Sequence, residues 1–121
     1  RLAIAHAGRL FAGRSVTVLA VWQRPREREL AEAAAEAARI CAREGAALAE
    51  DAGLDAAPLV RRADGPVWSA ILEAADTLDA GTVVLGSRGL SGVRTWMLGS
   101  VSEAVLRQTE RSALIVRHGT P

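Results

Sequence analysis

The chain has 121 residues, which suits one domain and leaves little room for a second. Fifteen basic and fourteen acidic residues leave a formal net charge of +1, which gives no reason to expect nucleic acid or an anionic membrane as partner. Cys41 is the only cysteine, so no internal disulfide can form, as suits a reducing cytoplasm.

Leu2 to Phe11 reads as the tail of a helix, with Leu2, Ala3, His6, Ala7 and Leu10 on one face and Gly13 as its stop. No second His, Cys or carboxylate stands at metal spacing beside His6, so it reads as a helix residue and not a ligand. Ser15 to Trp22 is rich in β-branched residues and becomes continuously apolar, as a strand covered on both faces does. Gln23-Arg24-Pro25 breaks it. Arg26 to Ala52 reads as one long helix. Leu30, Ala34, Ala37, Cys41 and Leu48 make its apolar stripe, and Glu and Arg alternate on the solvated side. On this reading Cys41 is a small buried residue, and Gly45 weakens the helix by about 1 kcal/mol relative to Ala. Gly53 ends it.

Ala57 to Arg62 is a short strand. Pro58 places it at a sheet edge, which Arg61 and Arg62 would blunt. Asp64-Gly65-Pro66 opens the next helix, whose stripe is Val67, Trp68, Ile71, Leu72, Ala75 and Leu78, with Gly81 at its end. Val101, Ala104, Val105 and Gln108 carry a last helix, and Ser112 to Arg117 is a last strand. Helices alternating with strands predict an α/β fold, a parallel sheet with helices on both faces.

The stretch with chemistry is Thr82 to Ser102. An apolar strand ends at Gly86, Gly89 follows, and Gly99 stands directly before Ser100. Glycines let backbone approach an anion, and a helix N-terminus leaves amides without internal partners. Ser100 with Glu103 three residues on has the form of a capping box. Arg88 and Arg94 add guanidinium forks suited to phosphate. The P-loop is excluded because the chain has no lysine, and G-x-G-x-x-G does not occur. The same residues also suit a turn without ligand, in which Gly86 ends a strand, Gly89 and Gly92 serve turns and Ser100 caps a helix.

Gly86, Gly89, Gly99 and Ser100 form G-x2-G-x9-G-S, which resembles the nucleotide-binding motif of the universal stress protein family, in its ATP-binding branch. Residues 83–117 resemble that family's C-terminal half almost throughout. The resemblance implies a three-layer parallel α/β sheet of the nucleotide α-hydrolase type and a dimeric, cytoplasmic stress-response regulator. It implies ATP, or ADP or AMP, with Mg²⁺ on the phosphates. It assigns nucleotide contacts to Val21, Gly86, Arg88, Gly89, Gly99, Ser100, Val101 and Ser102, adds Arg94 as phosphate charge, and places the dimer edge at Leu114, Ile115 and Val116. The family order 3-2-1-4-5 also includes a first, central strand ending in an Asp that holds adenine. This sequence opens inside the first helix, so the expectation is a single domain over residues 1–121 that is incomplete at its N-terminus. No general base stands in the motif, so hydrolysis is at most slow. A nucleotide-free interaction domain using the last strand is the second reading. A related adenylating enzyme ranks third, because neither a Ser-Gly-Gly loop nor His-rich motifs are visible.

Overall fold

The computed structural model describes residues 2–86 and 99–116. Residues 87–98 and 117–121, and with them Arg88, Gly89, Arg94 and Arg117, lie outside the description, as do the side chains of Leu2 and His6. The elements in order are α1 (Leu2–Leu10), β1 (Ser15–Gln23), a 3-10 turn (Arg28–Leu30), α2 (Ala31–Asp51), β2 (Asp55–Ala63), α3 (Val67–Leu78), β3 (Thr82–Gly86), α4 (Ser100–Gln108) and β4 (Ser112–Val116).

The fold is α/β with parallel strands in the middle layer. Among the described residues the strands form two parallel pairs, β1 with β2 and β3 with β4. Side chains alternate across a strand, and β3 shows the result. Val84 packs against the α1 cluster of Ala7, Ile4 and Phe11, together with Val16 and Val18 of β1. Val83 and Leu85 pack the opposite way, against Trp68, Ile71, Leu72 and Ala75 of α3 and Val101 and Val105 of α4. Helices α1 and α2 therefore cover one face, and α3 and α4 the other. Among the described residues, two clusters of buried side chains fill the spaces between layers.

The apolar stripe of α2 differs from the sequence expectation. The buried positions are Ala35, Ala38, Ala42, Gly45, Ala46 and Ala49. Ala37 and Cys41 are exposed, Leu30 is half exposed, and Ala34 and Leu48 are only partly covered. In an alanine-rich helix many faces are apolar, and size decides which one docks. A Cβ built on Gly45 would lie 2.7 Å from Val18 Cγ1, so the strand sits too close to accept a side chain there. Gly45 is thus a contact residue and not merely a weak point in the helix. The large Leu30 and Ile40 stay outside for the same reason. The outer face carries Arg39 bridging Glu32 and Glu36 at 2.6 and 2.7 Å.

Helix α1 behaves alike. Its docked face is Ile4, Ala7, Gly8 and Phe11, with Leu10 turned out at 61% exposure, against expectation. A Cβ on Gly8 would meet Ala52 Cβ at 2.6 Å, so α1 and the end of α2 touch backbone to backbone. Helix α3 starts after Pro66, which occupies the N-cap in extended conformation. It stops at Leu78, earlier than the Gly81 reading, because Asp79 takes the left-handed conformation (φ 49°, ψ 50°) and Ala80 N–H returns to Ala75 O at 2.9 Å. Leu78, expected in the stripe, is nearly half exposed. Arg111 reaches back to this end, with Nε 3.2 Å from Asp76 Oδ1, Nη1 3.3 Å from Asp79 Oδ1, and a further bond to the Ala80 carbonyl.

Candidate functional site

Strand β3 ends at Gly86, and α4 begins at Ser100 with Gly99 as N-cap (φ −64°, ψ 158°). This corrects the expectation that Ser100 caps the helix. Ser100 is the first helical residue, and its side chain is exposed. The shift of one position also undoes the capping box. Glu103 now stands at the fourth helical position, one beyond where its carboxylate could reach back to the cap. It pairs instead with Arg107 one turn on, Oε1 to Nη2 at 2.7 Å.

The first rung of the α4 ladder is Glu103 N–H to Gly99 O, 3.0 Å. The amides of Ser100, Val101 and Ser102 come before that rung, so they point out of the helix end for other partners. Val101 and Val105 turn their side chains into the core. Val101 can therefore face a ligand through its backbone amide and not through its side chain. Ser102 is buried, 5% exposed, and its Oγ donates to Gly86 O at 2.6 Å. The structure thus brings Gly86, Gly99 and Ser102 together at one place, where β3 ends and α4 starts.

Val21 lies near the carboxyl end of β1, half-buried, in register with Arg61 of β2. Just beyond it an open cleft of about 470 Å³ is lined by Gln23, Arg24, Ala63 and Asp64. Gln23 and Ala63 are the last residues of paired strands, and Gln23 Nε2 donates to Gly65 O at 3.1 Å. Arg62 Nε donates to Asp64 Oδ1, also at 3.1 Å. The sequence places Gln23 and Arg24 at a strand break and Asp64 at a helix start, but gives none of these rim residues a part in the site. Their signal was position alone, at the carboxyl ends of adjoining strands.

Winding explains why the carboxyl ends matter. From β1 the chain passes to β2 through α2 on one face. From β3 it passes to β4 through α4 on the other. Where crossover helices change face, the loops diverge and leave a crevice beyond the strand ends. In β4, Leu114 and Ile115 are partly buried and Val116 is 4% exposed.

The family model of the universal stress protein family matches residues 1–117. Universal stress protein Sll1388 of Synechocystis is 48% identical over 48 residues. That match covers 40% of this chain and 31% of the relative's length. Among solved structures, hypothetical protein MJ0577 aligns with a TM-score of 0.81 at 22% identity, over 98% of this chain and 88% of that one. A universal stress protein in complex with cAMP aligns with a TM-score of 0.67 at 28% identity, over 97% and 86% of the two chains. The universal stress protein from Archaeoglobus fulgidus gives 0.73 at 20% identity, over 94% and 86%. The family model spans nearly the whole chain, and the layered fold agrees with those structures, so this chain belongs to the universal stress protein family.

Proposed function

We propose that the chain binds an adenine nucleotide and acts in the stress response as a nucleotide-dependent regulator. The observation that carries the reading is the junction of β3 with α4. There a glycine strand end and a glycine N-cap flank amides that precede the helical ladder. Such amides, with the positive end of the helix dipole, favour a phosphate. The relative solved in complex with cAMP supports an adenine nucleotide as the ligand. In this reading Gly86, Gly99, Ser100 and the amides of Val101 and Ser102 meet the phosphates and ribose, and Val21 meets the base. Gly89, Arg88 and Arg94 join them on the strength of the motif, from outside the described residues. Mg²⁺ arrives on the nucleotide. The site's described groups are mostly donors, which fit phosphate oxygens and not a hard cation, so the ion's ligands would be phosphate and water.

Titration calorimetry of the purified chain with ATP, ADP, AMP and cAMP, with and without Mg²⁺, tests the reading. A micromolar ligand at 100 times its Kd should stabilise the fold by about 2.7 kcal/mol. Gly99→Trp should abolish that gain. Absence of heat and of thermal stabilisation with all four nucleotides would remove the nucleotide from the account. Dimerisation belongs to the same proposal. Among the described residues β4 pairs on one side only, and its Leu114 and Ile115 are incompletely covered. An apolar edge of this kind favours a partner strand. Sedimentation at several concentrations checks it, with Ile115→Lys expected to yield monomer.

A further inference from the structure

A serine in a helix ordinarily returns its hydroxyl to a carbonyl one turn back, or offers it to water. Ser102 does neither. It stands in the first turn of α4, and its Oγ crosses to the last carbonyl of β3, Gly86 O, at 2.6 Å. Among the described residues it is the only buried polar side chain. One turn further on, Val105 is fully buried against β3 and α3, so this side of α4 is the docked side.

A hydroxyl has a single proton to donate. In Ser102 that proton is committed to Gly86 O, and a phosphate oxygen at neutral pH is mainly an acceptor. The side chain therefore has only lone pairs left, which a phosphate does not want. We propose that Ser102 is a positioning residue and not a phosphate ligand. Its hydroxyl fastens the end of β3 to the start of α4 and so fixes the direction of the first-turn amides. This rests on the nucleotide reading above and divides its labour: amides and the exposed Ser100 hydroxyl meet the anion, and Ser102 holds them in place.

Three substitutions separate the roles. Ser102→Thr keeps the hydroxyl. Ser102→Cys keeps the approximate size but is a weak donor. Ser102→Ala removes the donor altogether. Binding of ATP with Mg²⁺ is followed by calorimetry, and amide hydrogen exchange is followed on the nucleotide-free protein. The Ala and Cys variants should raise Kd by about tenfold, the scale of one net hydrogen bond, and Thr should stay within about twofold of the wild type. In the nucleotide-free protein, Ser102→Ala should speed exchange at Glu103, whose amide makes the first rung to Gly99 O, and leave α2 unchanged. A raised Kd with wild-type exchange at Glu103 would mark Ser102 as a direct ligand and overturn the proposal. Wild-type Kd and wild-type exchange in Ser102→Ala would overturn it too. Should the wild type bind no nucleotide, the functional reading fails by itself. The exchange measurement then still decides whether the hydroxyl fastens strand to helix.

Discussion

Gly45→Ala sets two physical arguments against each other with opposite signs. Sequence reasoning treats Gly45 as a fault in α2, which Ala would mend by about 1 kcal/mol. The packing predicts the reverse. The new Cβ would lie 2.7 Å from Val18 Cγ1, with Ile4 Cδ1 at 3.7 Å on another side. Carbon contacts are comfortable from about 3.5 Å, so roughly 0.8 Å must be found. Val18 cannot easily supply it, because β-branched side chains are stiff at χ1 and β1 is held in register by β2. Overpacking of this size costs about 1–3 kcal/mol. Set against the helix gain, the net change is a loss of about 1 kcal/mol, or about 4 °C in Tm for a chain of this length. Urea and thermal unfolding of the wild type, Gly45→Ala, Val18→Ala and the double variant give the answer. In the Val18→Ala background the obstruction is gone, and Gly45→Ala should then stabilise by about 1 kcal/mol, a coupling near 2 kcal/mol. A higher Tm for Gly45→Ala in the wild-type background, with no coupling to Val18, would refute the close-approach argument.

Gly8→Ala should be worse tolerated than Gly45→Ala, losing about 2–3 kcal/mol in urea unfolding. Its Cβ meets a backbone oxygen, Ala52 O, at 2.7 Å, and backbone cannot turn aside as a side chain end can. Ser100→Ala should change nucleotide-free stability by less than about 0.5 kcal/mol, since Gly99 and not Ser100 is the cap. A loss near 1 kcal/mol in thermal melts would restore the capping role. Arg111→Ala should lose about 1–2 kcal/mol, as its partly buried guanidinium holds the end of α3 through Asp76, Asp79 and the Ala80 carbonyl. The exposure of both carboxylates keeps the figure low. Arg111→Lys should recover little of it, because a single ammonium cannot span the three acceptors.

Elements with a distinct pattern were legible in the sequence. The β-branched run of β1, the apolar run of β3 and the helical spacing of Trp68, Ile71, Leu72 and Ala75 all fall where expected. The face of α2 was not legible. Hydrophobicity ranks Leu30, Ile40 and Cys41 above Ala, yet the strand admits only Ala and Gly. That preference comes from the distance between layers, which no single helix encodes. The capping register of α4 was missed by one residue for a related reason. Gly-Ser offers two plausible caps in succession, and the structure takes the first, with Ser102 Oγ bonded outside the helix to Gly86 O. The sheet is a case of partial legibility. Alternating helices and strands gave the parallel direction, and the described strands pair in parallel, β1 with β2 and β3 with β4; which strands pair is set by contacts between elements, which no single stretch encodes.

On the proposed reading, the two halves of the site do unequal work. A helix end contributes up to about 2 kcal/mol to a bound anion. Micromolar affinity requires about 8 kcal/mol. The β3–α4 junction is also indifferent to which nucleotide carries the phosphate, since bare amides read charge and not base. Most of the affinity, and all of the choice of base, must then come from elsewhere. Among the described residues the carboxyl end of the β1–β2 pair is the available place, where a cleft rimmed by Gln23, Arg24, Ala63 and Asp64 lies at the strand ends beyond Val21. Gln23 has its amide nitrogen engaged with Gly65 O, which leaves its carbonyl as an acceptor at that rim. An exocyclic amine on a purine is a donor of the matching kind. Substitutions at the rim should therefore alter which nucleotide binds, whereas substitutions at Gly99 should weaken all of them alike.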